Sequence, residues 1–199
     1  MMVFGGVKMA AACEAFDFVT NAWTALPPMS IPREDCCGTV WQGRPPSFLE
    51  EGPRAFVFGG QNDSFASMSS AECFDPKLNR WSPIAPMSTA RRSASAVSVP
   101  SRGILVMGGL ARNWLVLQSV ELYVPTDNQW FAIAWQLPKP LCDFVAHCMD
   151  GVLYIVGGMA ADGLRTSDCW SMDLFAEVLS WSQLPPLPVA LGGLASVAL

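Results

Sequence analysis

RAFVFGGQNDSFASMSSAECFDPKLNRWSPIAPMSTAR, residues 54–91, carries the signals that decide the fold. A short apolar run, Ala55-Phe56-Val57-Phe58, is closed by Gly59-Gly60. After a polar loop comes an acidic-then-aromatic stretch, Glu72-Cys73-Phe74-Asp75, and then a turn, Pro76-Lys77-Leu78-Asn79-Arg80, that leads into Trp81. Apolar runs of four to eight residues bounded by Gly, Pro, Asn and Asp read as strands, and a Pro- and Asn-containing turn between two of them reads as a hairpin.

The same landmarks recur along the 199 residues. The doublet stands at Gly5-Gly6, Gly59-Gly60, Gly108-Gly109 and Gly157-Gly158, with steps of 54, 49 and 49 residues. Each doublet ends an apolar run: Met2 to Phe4, Ala55 to Phe58, Ile104 to Met107, Val152 to Val156. A tryptophan follows each one, at Trp23, Trp81, Trp130 and Trp181. Between them lie Glu14-Ala15-Phe16-Asp17, Glu72-Cys73-Phe74-Asp75, Glu121-Leu122-Tyr123 and the weaker Asp168 to Asp173. In the first three repeats the residue after the aromatic stands six before the tryptophan. Landmarks kept in phase at about 50 residues are the mark of stacked supersecondary units that bury their faces against one another.

This pattern resembles the kelch repeat: a glycine doublet, an acidic residue before an aromatic-Asp pair, and a tryptophan six residues after that Asp. Residues 54–91 match best. Repeat three has Val124 in place of the Asp, and repeat four has two extra residues between Asp173 and Trp181, so those hairpins are expected to be looser. The resemblance implies an all-β fold, a β-propeller of four blades, each a four-stranded antiparallel sheet, as an open arc or a small closed ring. The blades are expected over about 1–30, 31–88, 89–138 and 139–188, in one domain, with 189–199 as an extra strand. The first repeat lacks its first strand, and the last segment could supply it and close a ring of four. Kelch propellers more usually close with six blades, which points instead to an arc of a larger propeller. Val40 to Pro53 breaks the period and reads as a surface loop or insert. The doublet glycines are expected where backbone approaches closely, and Trp81→Ala is expected to destabilise the array strongly.

Residues that define the repeat build the shared core, so contacts with a partner are sought among loop residues that differ between repeats. The loops after the doublets share one face with the links between blades. They hold Asn62 and Phe65, then Arg112, Asn113 and Trp114, then Arg165. The links add Arg33, Arg91 and Arg92. Five arginines on one face of a chain whose net charge is −5 would suit an acidic peptide through guanidinium-carboxylate forks, with Phe65 and Trp114 as apolar anchors. In kelch proteins that act as substrate receptors, the resemblance implies that arginines at such positions can read an acidic degron.

Other classes fare less well. The negative charge offers no field for nucleic acid or an anionic membrane, and no apolar stretch is long enough to span a bilayer. Seven cysteines without a CxxC pair read as reduced thiols, and a soluble, cytoplasmic protein is the expectation. The lone His147 lies on an apolar strand, and with Cys148 alone it is a weak metal candidate. Cys36-Cys37 has no neighbouring base to activate it. No catalytic residue, metal or cofactor is therefore expected. Galactose oxidase shares the kelch blade, but its copper chemistry needs paired tyrosines and histidines, and this chain has Tyr123, Tyr154 and His147. The expected function is a protein-interaction module, a scaffold or the substrate-recognition domain of a cullin-type ubiquitin ligase. The alternative is a propeller enzyme or sugar-binding protein, galactose oxidase-like or mutarotase-like, acting on a small ligand in the central channel.

Overall fold

A computed structural model describes residues 2–5, 11–42 and 52–194. The first sheet orders β1 (Met2–Phe4), β2 (Cys13–Asp17) and β3 (Ala22–Leu26). The second orders β4 (Cys37–Trp41), β5 (Arg54–Phe58), β6 (Ala71–Asp75) and β7 (Arg80–Ile84). The third orders β8 (Ser95–Val99), β9 (Gly103–Met107), β10 (Val120–Val124) and β11 (Gln129–Ala132). Two short strands, β12 (Leu141–Cys142) and β15 (Met159–Ala160), pair beside the fourth sheet. That sheet orders β13 (Val145–Met149), β14 (Val152–Val156), β16 (Cys169–Asp173) and β17 (Ser182–Leu184). Every ladder is antiparallel, and β5, β9 and β14 hold the same place in successive sheets. This is an all-β array of propeller blades.

The apolar runs do not alternate because both faces of a blade are covered. In the second sheet Ala55, Val57, Phe74 and Trp81 pack against Cys13 and Met29 of the first unit. The opposite face, with Phe56, Phe58 and Cys73, packs against Ile104, Val106 and Tyr123 of the third. Between the third and fourth lie Val99, Leu105, Met107, Phe144, Leu153 and Met172. The motif tryptophans of the second, third and fourth blades lock this stack, because their indole N–H groups donate to carbonyls in the link before the blade: Trp81 to Pro27 at 3.1 Å, Trp130 to Ala85 at 2.7 Å, Trp181 to Gln136 at 2.8 Å.

The doublet is pinched beneath the following link. Gly59 and Gly60 have φ of 59° and 93°, and a Cβ on Gly59 would lie 2.1 Å from the Arg91 carbonyl oxygen. Gly60 N–H donates to that same oxygen at 2.9 Å, and Gly109 and Gly158 repeat the bond to Leu141 and Leu191. The Asp after the aromatic is a turn cap. Asp75 Oδ1 accepts from the N–H groups of Lys77 and Leu78, and Asn79 then takes φ of 50°, which Asn tolerates. The altered hairpin of the fourth blade pairs three positions between β16 and β17, against five between β6 and β7.

The expected insert is shorter than 40–53, since Val40 and Trp41 finish β4. Residues 43–51 lie outside the described residues, as does Gly6 of the first doublet. Among the described residues no strand pairs the first sheet with the last. Of the expected final strand, residues 189–194 behave as another link: Leu191 bridges Thr166, and Gly193 N–H donates to Asp143 O at 2.9 Å, as Asp143 does to Ser93 and Ser93 to Asp35. Residues 195–199 lie outside the described residues.

Candidate functional site

Two of the arginines expected on the binding face are inside the array. Arg33 and Arg91 are 0% and 1% exposed. Arg33 Nη1 donates to the carbonyls of Gly59 (2.8 Å) and Ser70 (2.9 Å), and its Nη2 pairs with Glu72 Oε1 at 3.0 Å. Arg91 repeats this with Gly108, Ser119 and Glu121, the last at 2.7 Å. The glutamates in turn accept from the link backbone, Glu72 from Ser30 and Ile31, Glu121 from Ser88 and Thr89. Arginine and the motif's acidic residue thus clamp these two links onto the second and third blades, and neither arginine is free to meet a peptide. Burial would raise the carboxyls of Glu72 and Glu121, but the N–H and guanidinium donors outweigh it and hold both below the ordinary value.

In the fourth blade the pair is gone. Leu141 stands in place of the arginine and Trp170 in place of the glutamate, as the ladder partners Ile155↔Trp170 and Val106↔Glu121 show. A half-exposed Lys139–Asp168 pair at 2.6 Å ties that link instead.

Phe65, Arg92, Arg112, Asn113 and Trp114 do come together, around a cavity of about 270 Å3 between the doublet loops of the second and third blades. Phe65 and Trp114 are 71% and 74% exposed. Both have left-handed backbones, φ 57° and 62°, as has Asn113 at 59°. For bulky side chains this is a genuine departure from preference. The loops that hold them are tied from within. Asn62 Oδ1 accepts from Ser64 and Ala66 N–H, and Phe65 N–H donates to Asn62 O at 2.8 Å, so Asn62 shapes the loop. On the other side Ala111 N–H donates to Leu115 O at 2.9 Å across a single 3-10 turn, Arg112–Trp114.

Arg92 is the strut between the two aromatics. Its buried guanidinium sits 4.4 Å from the centre of the Trp114 ring and donates to Gln61 Oε1 and to the Phe65 carbonyl. Gln61 Nε2 reaches Glu34 Oε2 at 3.4 Å, which extends the chain of contacts to the preceding link. Gln61 and Glu34 were not among the expected site residues. Their signal is positional: each is the residue after a motif landmark, Gly60 and Arg33, and Arg92 likewise follows Arg91. Arg165 is exposed on the next doublet loop and does not line the cavity. The site is therefore an aromatic pair braced by one cation, with Arg112 as the exposed charge at its rim.

The inner strands β4, β8 and β13 line a channel cavity of about 460 Å3 that includes Cys36, Cys37, His147 and Cys148. Burial pushes Cys36 up to about 11 and Cys37 up to about 12, and it raises Cys148, so these thiols stay protonated at neutral pH. Among the described residues no group of three or more His, Cys, Asp or Glu side chains converges to hold a metal ion.

The Kelch motif family model matches residues 52–88 and 140–188. The chain belongs to the kelch-repeat family. Kelch-like protein 35 of Mus musculus is 27% identical over 85% of the chain and 26% of its own length. Beta-scruin of Limulus polyphemus is 24% identical over 94% of the kelch chain and 21% of its own length. Spermatocyte protein spe-26 of Caenorhabditis elegans is 31% identical over 93% and 31%. The chain thus spans about a quarter of the length of such curated relatives. The solved structure of YjhT superposes with a TM-score of 0.77 at 18% identity, over 96% of this kelch array and 63% of that chain, a likeness of fold alone. No helix among the described residues is long and apolar enough to cross a membrane.

Proposed function

We propose that this kelch array is a protein-interaction module that grips an apolar or aromatic anchor of a partner between Phe65 and Trp114. The observation that carries the reading is the pair of bulky side chains held in solvent on left-handed backbones. Such residues cost about 1–3 kcal/mol each and persist where the surroundings over-determine them, which is characteristic of ligand clamps. Aromatic side chains are also the commonest hot spots of protein interfaces. The acidic-peptide reading keeps Arg112 and Arg165 as its exposed charges, since Arg33 and Arg91 are consumed by the clamps and Arg92 by the strut. The finer role, substrate recognition for a cullin-type ubiquitin ligase in the cytoplasm, rests on the resemblance to kelch substrate receptors. The similarity to Kelch-like proteins supports the interaction role in its broader form.

The test uses a photo-crosslinking amino acid at Leu115, beside Trp114, with a control at Phe18 on a hairpin tip of the opposite face. A discrete partner should be captured from Leu115 and not from Phe18. A Phe65→Asn, Trp114→Asn variant should lose at least tenfold in affinity for that partner while melting at the same temperature or higher, because Asn relieves the backbone strain. Unchanged affinity would remove the reading.

A further inference from the structure

The interfaces between successive blades are built from equivalent positions, and one of them keeps a cleft beside its apolar cluster. Between the third and fourth blades Val99, Leu105, Leu122 and Ile133 pack against Met172 and Leu174 in one apolar cluster. Between the second and third, the same positions of the second blade hold Trp41, Phe56, Cys73 and Ile84, and beside them Arg54 and Ser82 stand at the positions of Gly103 and Phe131, with the motif's own Asp75 at that of Val124. The result is a cleft of about 410 Å3, walled on the far side by Tyr123, Pro125, Thr126 and Asn128. Its volume falls within the range of small-molecule sites. Since repeat-defining residues make the shared core, a cleft lined by Trp41, Arg54 and Ser82, none of them a motif residue, asks for another explanation.

The wall supplies one. Trp41 is only 7% exposed, and its indole N–H has no hydrogen-bond partner among the described residues. Buried donors are nearly always paired, so an orphan lining a cleft points to an acceptor that the cleft receives. Tyr123, Asn128 and Asp75 are committed, and Arg80 sets the charge. Tyr123 hydroxyl donates to Asn128 Oδ1 at 2.9 Å, and that oxygen also accepts from Ala85 N–H, so the turn is fixed. Asp75 Oδ1 caps its own turn and Oδ2 pairs with Arg54 at 3.4 Å. Arg80 stands exposed on the lining, which leaves it with an excess of one positive charge. The rings of Phe56, Tyr123 and Trp41 offer flat apolar wall.

We propose that this cleft binds a small monoanion with a flat apolar body, an aromatic carboxylate in chemistry, with its charge at Arg80 and an acceptor atom at the Trp41 indole. The site is separate from the doublet-loop face and stands or falls without it.

The experiment titrates the 15N-labelled chain with 4-hydroxybenzoate to millimolar concentration. One indole N–H cross-peak, the one missing from the spectrum of Trp41→Phe, should move, and the Ile84 methyl signals should move with it. Arg80→Gln should weaken binding about tenfold, as for loss of one charge-assisted hydrogen bond. 4-Hydroxybenzamidine, of the same shape and opposite charge, should not bind. Replacing residues 43–51 by a Gly-Ser linker of equal length should leave binding unchanged. An unmoved Trp41 peak, equal binding of the amidine, or full affinity in Trp41→Phe read from Ile84 would each overturn the proposal.

Discussion

The Arg91–Glu121 clamp gives the sharpest mutational prediction, because the chain itself contains the replacement. Changing Glu121 to Met leaves the Arg91 guanidinium buried without a counter-charge, and breaking a buried pair from one side costs about 3–5 kcal/mol. The N–H groups of Ser88 and Thr89 lose their acceptor as well, which adds roughly 1 kcal/mol. Arg91→Leu should cost about as much, since it strands the carboxylate and the carbonyls of Gly108 and Ser119. The double variant removes both charges, as Leu141 and Trp170 do in the fourth blade, and should cost only about 1–2 kcal/mol for the backbone groups left over. The coupling energy is then at least about 6 kcal/mol, well outside the roughly 0.5 kcal/mol within which independent sites add. Urea unfolding of the four proteins, followed by tryptophan fluorescence, measures it. If the double variant is as unstable as the sum of the singles, the clamp is not the unit described.

Acid should loosen the same clamps. Glu72 and Glu121 have folded values below the ordinary 4.5, so the unfolded chain takes up protons first as pH falls. Their contribution is complete above about 4.5 and is lost as pH drops through the depressed folded values; the urea midpoint should therefore decline over that window, and less steeply in Glu121→Gln. An equal slope in that variant would contradict the assignment. Two glycines should separate conformational from steric cost. Gly163 has φ of 78° with nothing within 4 Å of a Cβ, so Gly163→Ala should cost about 1 kcal/mol, whereas Gly59→Ala meets the Arg91 carbonyl at 2.1 Å and should cost several times that. Thermal melts of the two variants decide it.

What could be read from the sequence divides according to whether a residue recurs at the spacing of the motif. Gly59, Asp75 and Trp81 were legible because the doublet, the turn Asp and the tryptophan recur in phase, as a backbone pinched under the next link, a turn cap and an indole aimed at the preceding link. Phe65 and Trp114 were legible as apolar residues in loops that break the pattern, although nothing in Ser64-Phe65 or Asn113-Trp114 announces a left-handed backbone. Arg33 and Arg91 were misplaced because charged residues in connections are ordinarily solvated. The contrary signal was already in the chain: arginine and glutamate recur in phase at 33 and 72 and at 91 and 121, then disappear together at 141 and 170. Two positions that change only as a pair are in contact, and for opposite charges the reason is energetic, since either one alone inside the array is costly. The Trp41 cleft lay beyond that logic. Its residues are drawn from five strands and two turns of two blades, and only the stacking of one blade on the next brings an indole of β4 opposite a tyrosine of β10. An array whose repeats share one core can thus carry a private site where one unit holds side chains that its neighbour lacks, and here Trp41, Arg54 and Ser82 stand where the third blade has Val99, Gly103 and Phe131.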